Sequence, residues 1–475
     1  MTGKKAMEKE RVIMPYTGSR VFIASLFTAL LILLSSVPAG ASPAALSVGL
    51  SMGDRKAIFS APGGQISLKS ASGGKASFRS SVSVQAVSPG VICAGSVTLK
   101  LPVSISGNAL LKWNDRPYRG HFRLAQQGGG FNVINVLGVE DYLKGVLKME
   151  VNPAWQMESL KAQAIIARTY ALRNKNRHGS SGFDLCALSH CQVYRGVNAE
   201  DRVLSKAVDL TKGIVLKYQG AYAATFYHAD SGGHTADVSS VWGSSIPYLK
   251  GKPEPLKYLS PYSNWQTTMS LLEIQKILAS KGVNLGSLTG MAVSSRDSAG
   301  RAVNLTLTGT GGRTTMKASQ FRTMIGPDKI RSTFFSLGGK PPGTPSPKAP
   351  AGSSGSVDEL SPPLTARDEQ LLIAFTQKGV FNTEELMDML VKPERRGFYL
   401  RKALEKQSGA GALPPASPLP GAYSEGDRVT FSGRGWGHGV GLSQWGAKSL
   451  AEAGWDFKSI LQHYFPGTKL SRMPQ

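Results

Sequence analysis

The chain is 475 residues long and carries a formal net charge of +24, with 55 Lys and Arg against 31 Asp and Glu. That length holds one large domain or two to three ordinary ones. Basic residues interleaved with stacking aromatics, as in nucleic-acid binders, are not evident, so the charge points to an anionic polymer or lipid surface and away from nucleic acid.

Residues 1–41 read as a secretory signal. Lys4, Lys5, Lys9, Arg11 and Arg20 form a basic leader, Val21 to Leu34 is an apolar run, and Ala39-Gly40-Ala41 offers small residues for cleavage. The run is short for a membrane span of ~20 residues, and an uncleaved anchor stays open beside cleavage. The leader explains little of the charge, because about +21 remains without it. No later stretch is long and apolar enough to cross a bilayer.

From Ala45 to 138 short apolar runs recur between Gly and Ser clusters: Ala45–Leu50, Ala57–Phe59, Gln65–Leu68, Ser81–Ala86, Val97–Val103 and Phe131–Leu137. Several alternate with period two, as in Val82, Val84 and Ala86, which predicts a β-rich region over 42–138. Nothing in it suggests a catalytic group.

Asp141 to Met149 has helix-like apolar spacing and ends at Glu150. Asn152-Pro153-Ala154-Trp155 is a turn or helix-start signal. From Met157 on, Leu160, Ala164, Ala167 and Ala171 share one helical face, mostly alanine, that lets a neighbour approach closely. Glu150 is thus a carboxylate at a helix end between Met149 and Val151. Desolvation and the negative end of the helix dipole raise a pKa most easily at such a place, and a neutral carboxyl is what a general acid needs. The competing reading is a solvated helix-end residue.

Cys186, His190 and Cys191 lie within six residues, with His178 eight residues upstream. Two thiols and two imidazoles are a tetrahedral zinc set. In an exported chain Cys186 and Cys191 could instead form a local disulfide, or be reduced packing residues. Cys93 is expected to be buried and free.

A helix is predicted over Ala199–Thr211, then a hairpin of Ile214–Tyr218 and Ala221–Tyr227 around Gln219-Gly220. The second strand runs into His228-Ala229-Asp230-Ser231-Gly232-Gly233-His234-Thr235, where paired glycines would let the backbone approach a ligand; the alternative is a tight turn with exposed histidines. Trp242 and Tyr248 add aromatic surface of the kind that stacks on sugar rings. Further on come a helix from Ser270 to Lys281, a hairpin across Met291–Ser295 and Val303–Thr308, and a helix over Lys317–Met324.

Residues 338–422 read as a Pro/Gly/Ser-rich linker carrying a small helical insert, with helices at Ala366–Lys378, Thr383–Val391 and Arg395–Gln407. Its role is most simply that of a spacer, with a docking module as the alternative. Residues 423–475 return to motif. Gly433 to Gly441 is glycine-rich around His438, so its backbone N–H groups are expected to be accessible, but no P-loop Lys-Ser/Thr follows. Gly446 to Ala453 starts a helix.

Four of these segments together resemble the SpoIID/LytB family of sporulation stage II D proteins and amidase enhancers. The resemblance rests on Glu150, Pro153 and Trp155; on Leu160-Lys161-Ala162-Gln163-Ala164 and Ala167-Arg168-Thr169-Tyr170-Ala171; on Gln192-Val193-Tyr194-Arg195-Gly196; on Ser231-Gly232-Gly233-His234-Thr235; and on Gly437-His438-Gly439-Val440-Gly441-Leu442-Ser443-Gln444-Trp445-Gly446-Ala447. Two departures are visible: Glu150-Val151-Asn152-Pro153 is one residue longer than the usual Glu-Met-Pro, and Leu442 replaces a Met. The resemblance implies an α+β fold, with a β-rich N-terminal part (42–138) leading into a mixed core (139–337) that the 338–422 segment interrupts and 423–475 completes.

It implies peptidoglycan as substrate, in the periplasm or cell wall, and either lytic cleavage of glycan strands or enhancement of a partner amidase. Glycosidases that use water need two carboxylates. A lytic transglycosylase needs one, because the muramoyl C6 hydroxyl replaces water. The expectation is that Glu150 is that acid, with Gln192, Tyr194, Ser231, His234, His438 and Gln444 on the substrate and only Asp184 and Asp230 as rival carboxylates. Some relatives hold zinc near the site; a zinc on Cys186, Cys191, His190 and His178 would be structural, since four protein ligands leave no open position.

Overall fold

A computed structural model describes residues 45–338, Leu400 and 427–474. The signal-like leader and the three helices expected in the insert fall outside the described residues. Two compact units divide the chain: one comprises the residues up to Phe226 together with those from Leu450 on, the other runs from Tyr227 to Ser449. The first unit thus takes in the β-rich 42–138 part together with the start of the 139–337 core, and the C-terminal motif region is shared between the units. Among the described residues no helix is long and apolar enough to cross a membrane.

The first unit is built on an 11-stranded sheet. Its strands include every apolar run read from the sequence, plus His121–Gln127 and several short ones. The expected Val97–Val103 strand is split into Val97–Lys100 and Val103–Gly107 around Pro102, which has no N–H for the ladder. Strand Gly130–Gly138 pairs antiparallel with Ala45–Asp54 on one side and His121–Gln127 on the other, and it is buried along nearly its whole length. Such a doubly flanked strand is a firm base, and the chain leaves it directly into the helix Val139–Lys144.

That helix stops after two turns at Gly145, and a single 3-10 turn, Leu147–Met149, follows with Glu150 as its C-cap. The continuous helix expected over 141–149 is thus broken in two. The long helix Met157–Arg173 begins where the sequence says it should, but it is buried all round rather than along one alanine face. Of its buried polar side chains, Gln163 has both amide atoms without a hydrogen-bond partner among the described residues, whereas Arg168 is held from within. Arg168, fully buried, donates from Nε and NH2 to the Glu140 carboxylate (3.0 and 2.6 Å) and from NH1 to Ile214 O at 3.0 Å. Glu140 Oε1 also accepts from Gly213 N. One ion pair thereby ties the first helix, the long helix and the strand Ile214–Tyr218, and losing either partner would cost about 3–5 kcal/mol.

Helix Arg202–Leu210, capped by Asp201, packs on the long helix, and Ile214–Tyr218 pairs with Lys469–Arg472 from the C-terminus. The hairpin at Gln219-Gly220 forms, but its return strand is only Ala221–Tyr222.

In the second unit Trp265–Ser270 and Phe335–Leu337 flank Arg428–Gly433, both antiparallel to it. The hairpin Leu288–Arg296/Ala302–Gly309 extends to a third strand, Gly312–Lys317. Helices Leu271–Ser280 and Ala318–Ile325 share a core with these sheets, centred on Ile274, Phe321, Phe335 and Phe431. Tyr227–His228 and Leu442–Ser443 make a short parallel pair.

Candidate functional site

The first unit gathers Glu150, Tyr142, Gln192 and the cysteine–histidine cluster. Glu150 is half-buried, on the break between the 3-10 turn and the Asn152–Trp155 turn. Its neighbour Met149 is exposed while Val151 is buried, so the apolar company is one-sided. Tyr142, on the preceding helix, is fully buried; burial first, then the charges of Cys191 and Glu150, hold its phenol well above the ordinary value. It therefore stays protonated at any working pH and donates to Gln192 Oε1 at 3.2 Å. Gln192 in turn donates to Ala167 O of the long helix at 3.4 Å.

Gln192 and Tyr194, expected on the substrate, are both buried. Tyr194 donates to Asn135 Oδ1 at 2.8 Å and packs on Tyr142 with ring centroids 5.2 Å apart. Asn135 passes the link on to Arg119 O and His121 O. The Gln-Val-Tyr motif accordingly braces the helix that leads to Glu150.

The four expected metal ligands converge. The ligand atoms of His178, Cys186, His190 and Cys191 all lie within 4.8 Å of one another. Strand Leu185–Cys186 runs parallel to Ala45–Asp54 and fixes Cys186, and Cys191 is buried while His190 is exposed. Cys191 Sγ is 3.4 Å from His178 Nε2 and 3.6 Å from His190 Nδ1, and Cys186 Sγ is 3.8 Å from His190 Nδ1. A tetrahedron with Zn–S of about 2.3 Å and Zn–N of about 2.05 Å has S···N edges of about 3.6 Å. The residues therefore fit zinc both in donor chemistry and in spacing. A metal-bound His190 would carry its proton on Nε2, and Arg177 NH2, 3.4 Å away, would turn aside. Cys186 and Cys191 are unbonded thiols, and Cys93 is half-buried with its thiol on Gly95 O.

The second unit holds Ser231, His234, His438 and Gln444. In the glycine-rich segment the N–H groups of Gly435, Trp436 and Gly437 are taken up by the fold, donating to the Tyr262, Asp230 and Arg331 carbonyls. Its glycines exist for close backbone packing. At Gly435, with φ of 73°, a Cβ would lie 2.5 Å from Asp230 O, and at Gly437 it would lie 2.5 Å from His228 Cβ. Gly232 likewise closes on the Arg434 backbone.

Arg301, which no sequence signal marked, joins the two motif loops. It is fully buried, its NH2 donates to Ser231 O and to His234 O, and a Cβ on Gly439 would lie 3.0 Å from its Cζ. Ser231 and His234 are buried, and His234 Nδ1 meets Thr235 O at 2.7 Å. His438 accepts from Val440 N at Nδ1 and lies against the tilted rings of His228 and Trp242, with centroids 5.4 and 5.0 Å away. Burial, then Arg322, pushes the His438 imidazole down to about 4, and burial pushes His228 well below its ordinary value. Both are neutral at neutral pH. Gln444 is buried, with its amide nitrogen unbonded among the described residues. Trp242 is half-exposed, which leaves ring surface for stacking.

Both rival carboxylates are engaged within the fold. Asp184 accepts from Ser47 N and Oγ and from Asn176 N. Asp230 accepts from Gly232 N, Tyr258 and Ser260.

Residues 127–218 match the SpoIID family, described as Stage II sporulation protein. The chain is 31% identical over 338 residues to the amidase enhancer of Bacillus subtilis, covering 69% of this chain and 40% of that protein. It is 23% identical over 348 residues to stage II sporulation protein D of the same organism, covering 70% and 74%, and 27% identical over 363 residues to an uncharacterized protein of Brachyspira hyodysenteriae, covering 75% and 73%.

Proposed function

Because this chain belongs to the SpoIID/LytB family and so has a role at the cell wall, we propose that it is a lytic transglycosylase that cuts peptidoglycan glycan strands between N-acetylmuramic acid and N-acetylglucosamine. Glu150 protonates the glycosidic oxygen as the bond from C1 breaks, then takes the proton from the muramoyl C6 hydroxyl as that oxygen bonds to C1. The product is a 1,6-anhydro ring; no water is consumed and Glu150 ends as it began. The observation that most supports a one-acid reaction is that Asp184 and Asp230 are both engaged by several hydrogen bonds within the fold. Tyr142 and Gln192 brace the helix that leads to Glu150, and in the other unit Trp242 and His438 are groups of the kind that stack on and hydrogen-bond to sugar. The signal-like residues 1–41 support an exported chain working in the periplasm or cell wall.

Zinc on His178, Cys186, His190 and Cys191 would lock the segment after the long helix onto the edge of the large sheet and supply no open coordination position. The similarity to an amidase enhancer favours a second reading, a glycan-binding partner of a cell-wall amidase. Digestion of purified sacculi separates the two. The Glu150→Gln chain should bind glycan and release no anhydro-muropeptides, a loss of at least about a thousandfold in rate. If wild type releases none either, while stimulating a purified amidase, the enhancer reading stands.

A further inference from the structure

The net charge of +24 has no part in the reaction assigned to Glu150. In the first unit one concave surface gathers cations without partners. A groove of about 860 Å³ is lined by the helix Phe457–Tyr464 with the preceding Trp455, and by the paired strands Ile214–Tyr218 and Lys469–Arg472. Its charged lining residues are Lys458 and Lys469, both exposed, and no carboxylate lines it. Lys217 stands directly opposite Lys469 in the antiparallel register, which sets the two Cβ atoms about 5 Å apart. Like charges so placed destabilise a sheet. Among the described residues no carboxylate pairs with Lys217, Lys458 or Lys469. The nearest acid in sequence, Asp456, is committed as a helix cap, accepting from Ser459 N at 2.8 Å. The rest of the lining is apolar or aromatic: Leu461, Leu470 at 37% exposed, and Trp455 with the His463 ring edge-on 6.2 Å away.

We propose that this groove binds a linear phosphodiester polymer, whose phosphates meet Lys217, Lys458 and Lys469 and whose carbon spans lie on Trp455 and Leu470. A lysine ammonium is a point charge that suits a tetrahedral phosphate, whereas a planar carboxylate is best gripped by the arginine fork, which the lining lacks. Denuded glycan carries one carboxylate per disaccharide, too sparse to neutralise two ammoniums on adjoining strands. A lipid surface takes up a protruding apolar face, which a concave lining does not present. The assignment is independent of glycan cleavage by Glu150, and it gives the surplus positive charge a use: holding the chain on an anionic polymer.

The test uses the full chain and four probes: poly(glycerol phosphate), polyglutamate of the same charge, a denuded glycan oligomer, and phosphatidylglycerol vesicles. Poly(glycerol phosphate) should bind, and with three lysines each on a phosphate a tenfold rise in salt should weaken it about a hundredfold. Lys458→Gln with Lys469→Gln leaves one such contact, so the same rise should then weaken binding only about fivefold. The melting temperature should not fall, because neither lysine pairs with a carboxylate. No binding of the phosphate polymer, or an unchanged salt dependence in the double variant, overturns the proposal whether or not sacculi are cleaved. If the two substitutions weaken polyglutamate or denuded glycan as much as the phosphate polymer, the phosphate assignment falls. If they weaken vesicle binding as much, the surface is a membrane contact and the polymer assignment falls.

Discussion

The motif tyrosine Tyr194 shows how a recognisable residue can serve the fold. Its hydroxyl holds Asn135, whose amide is committed to two carbonyls. Tyr194→Phe leaves the Asn135 oxygen buried and unpaired, so it should lower stability by about 1–3 kcal/mol while glycan affinity per folded molecule stays at the wild-type value. Chemical denaturation beside a binding isotherm separates the two effects, and a selective loss of binding would restore Tyr194 to the substrate. A second residue-scale expectation concerns pH. His438 has a folded pKa of about 4 against an ordinary 6.5. The unfolded chain therefore takes up a proton that the folded chain refuses, and stability should be flat above about pH 6.5 and fall as pH drops towards 4. Melting temperatures of wild type and His438→Gln over that window should diverge, the variant having the shallower slope; parallel curves would remove His438 from the account. Motif spelling identified Glu150, Tyr194 and His438, but spelling does not encode depth: Tyr194 and Gln192 look like any surface-capable polar residue until the sheet beneath them is built. Arg301 was illegible for the opposite reason, since a lone Gly-Arg-Ala in a hairpin turn carries no local mark of the loops it will hold.

At the scale of elements, the strand runs and the long helix were readable because period-two alternation and a clear start at Met157 are local signals. The helix before Glu150 was misjudged in continuity: apolar spacing from Tyr142 to Met149 reads straight through Gly145, whereas Tyr194 packs so closely on Gly145 that a Cβ there would lie 2.5 Å from its ring. That close approach, set by a residue far along the chain, goes with the break before Glu150. The turn from His178 to Cys191 is the other element that tertiary context decides. It has one short strand and one 3-10 turn of its own, little to hold four ligand atoms within 4.8 Å. A metal would supply what the local backbone does not. The purified chain should carry one zinc, and Cys191→Ser should lose it and at least about 2 kcal/mol of stability. Elemental analysis with thiol titration checks this, and a metal-free native chain lacking two free thiols would establish the disulfide instead.

At the scale of the whole molecule, the grouping of the chain into two units is set by long-range pairing. Sequence order suggested a β-rich part followed by a core, but long-range pairing groups Ile214–Tyr218 with Lys469–Arg472 and so returns the C-terminus to the first unit. The Pro/Gly/Ser-rich composition of 338–422 is legible in the sequence. Phe335–Leu337 and Arg428–Gly433 lie directly beside each other, with Phe335 opposite Gly433 and Leu337 opposite Phe431, and Gly338 N bonds Thr430 O at 2.7 Å. Two adjacent antiparallel strands need only a hairpin turn between them. Residues 339–426 connect these two strands, and closing a connection costs entropy that grows with the logarithm of its length. Replacing 339–426 by about eight Gly/Ser residues should preserve the fold and raise stability by up to about 2 kcal/mol. The melting temperature should rise, and anhydro-muropeptide release from sacculi should persist if the stretch is a spacer. A folded, more stable deletion variant that binds glycan but no longer acts on sacculi would instead make residues 339–426 a docking module, because closing the sheet would then have removed a function that the strands on either side do not carry.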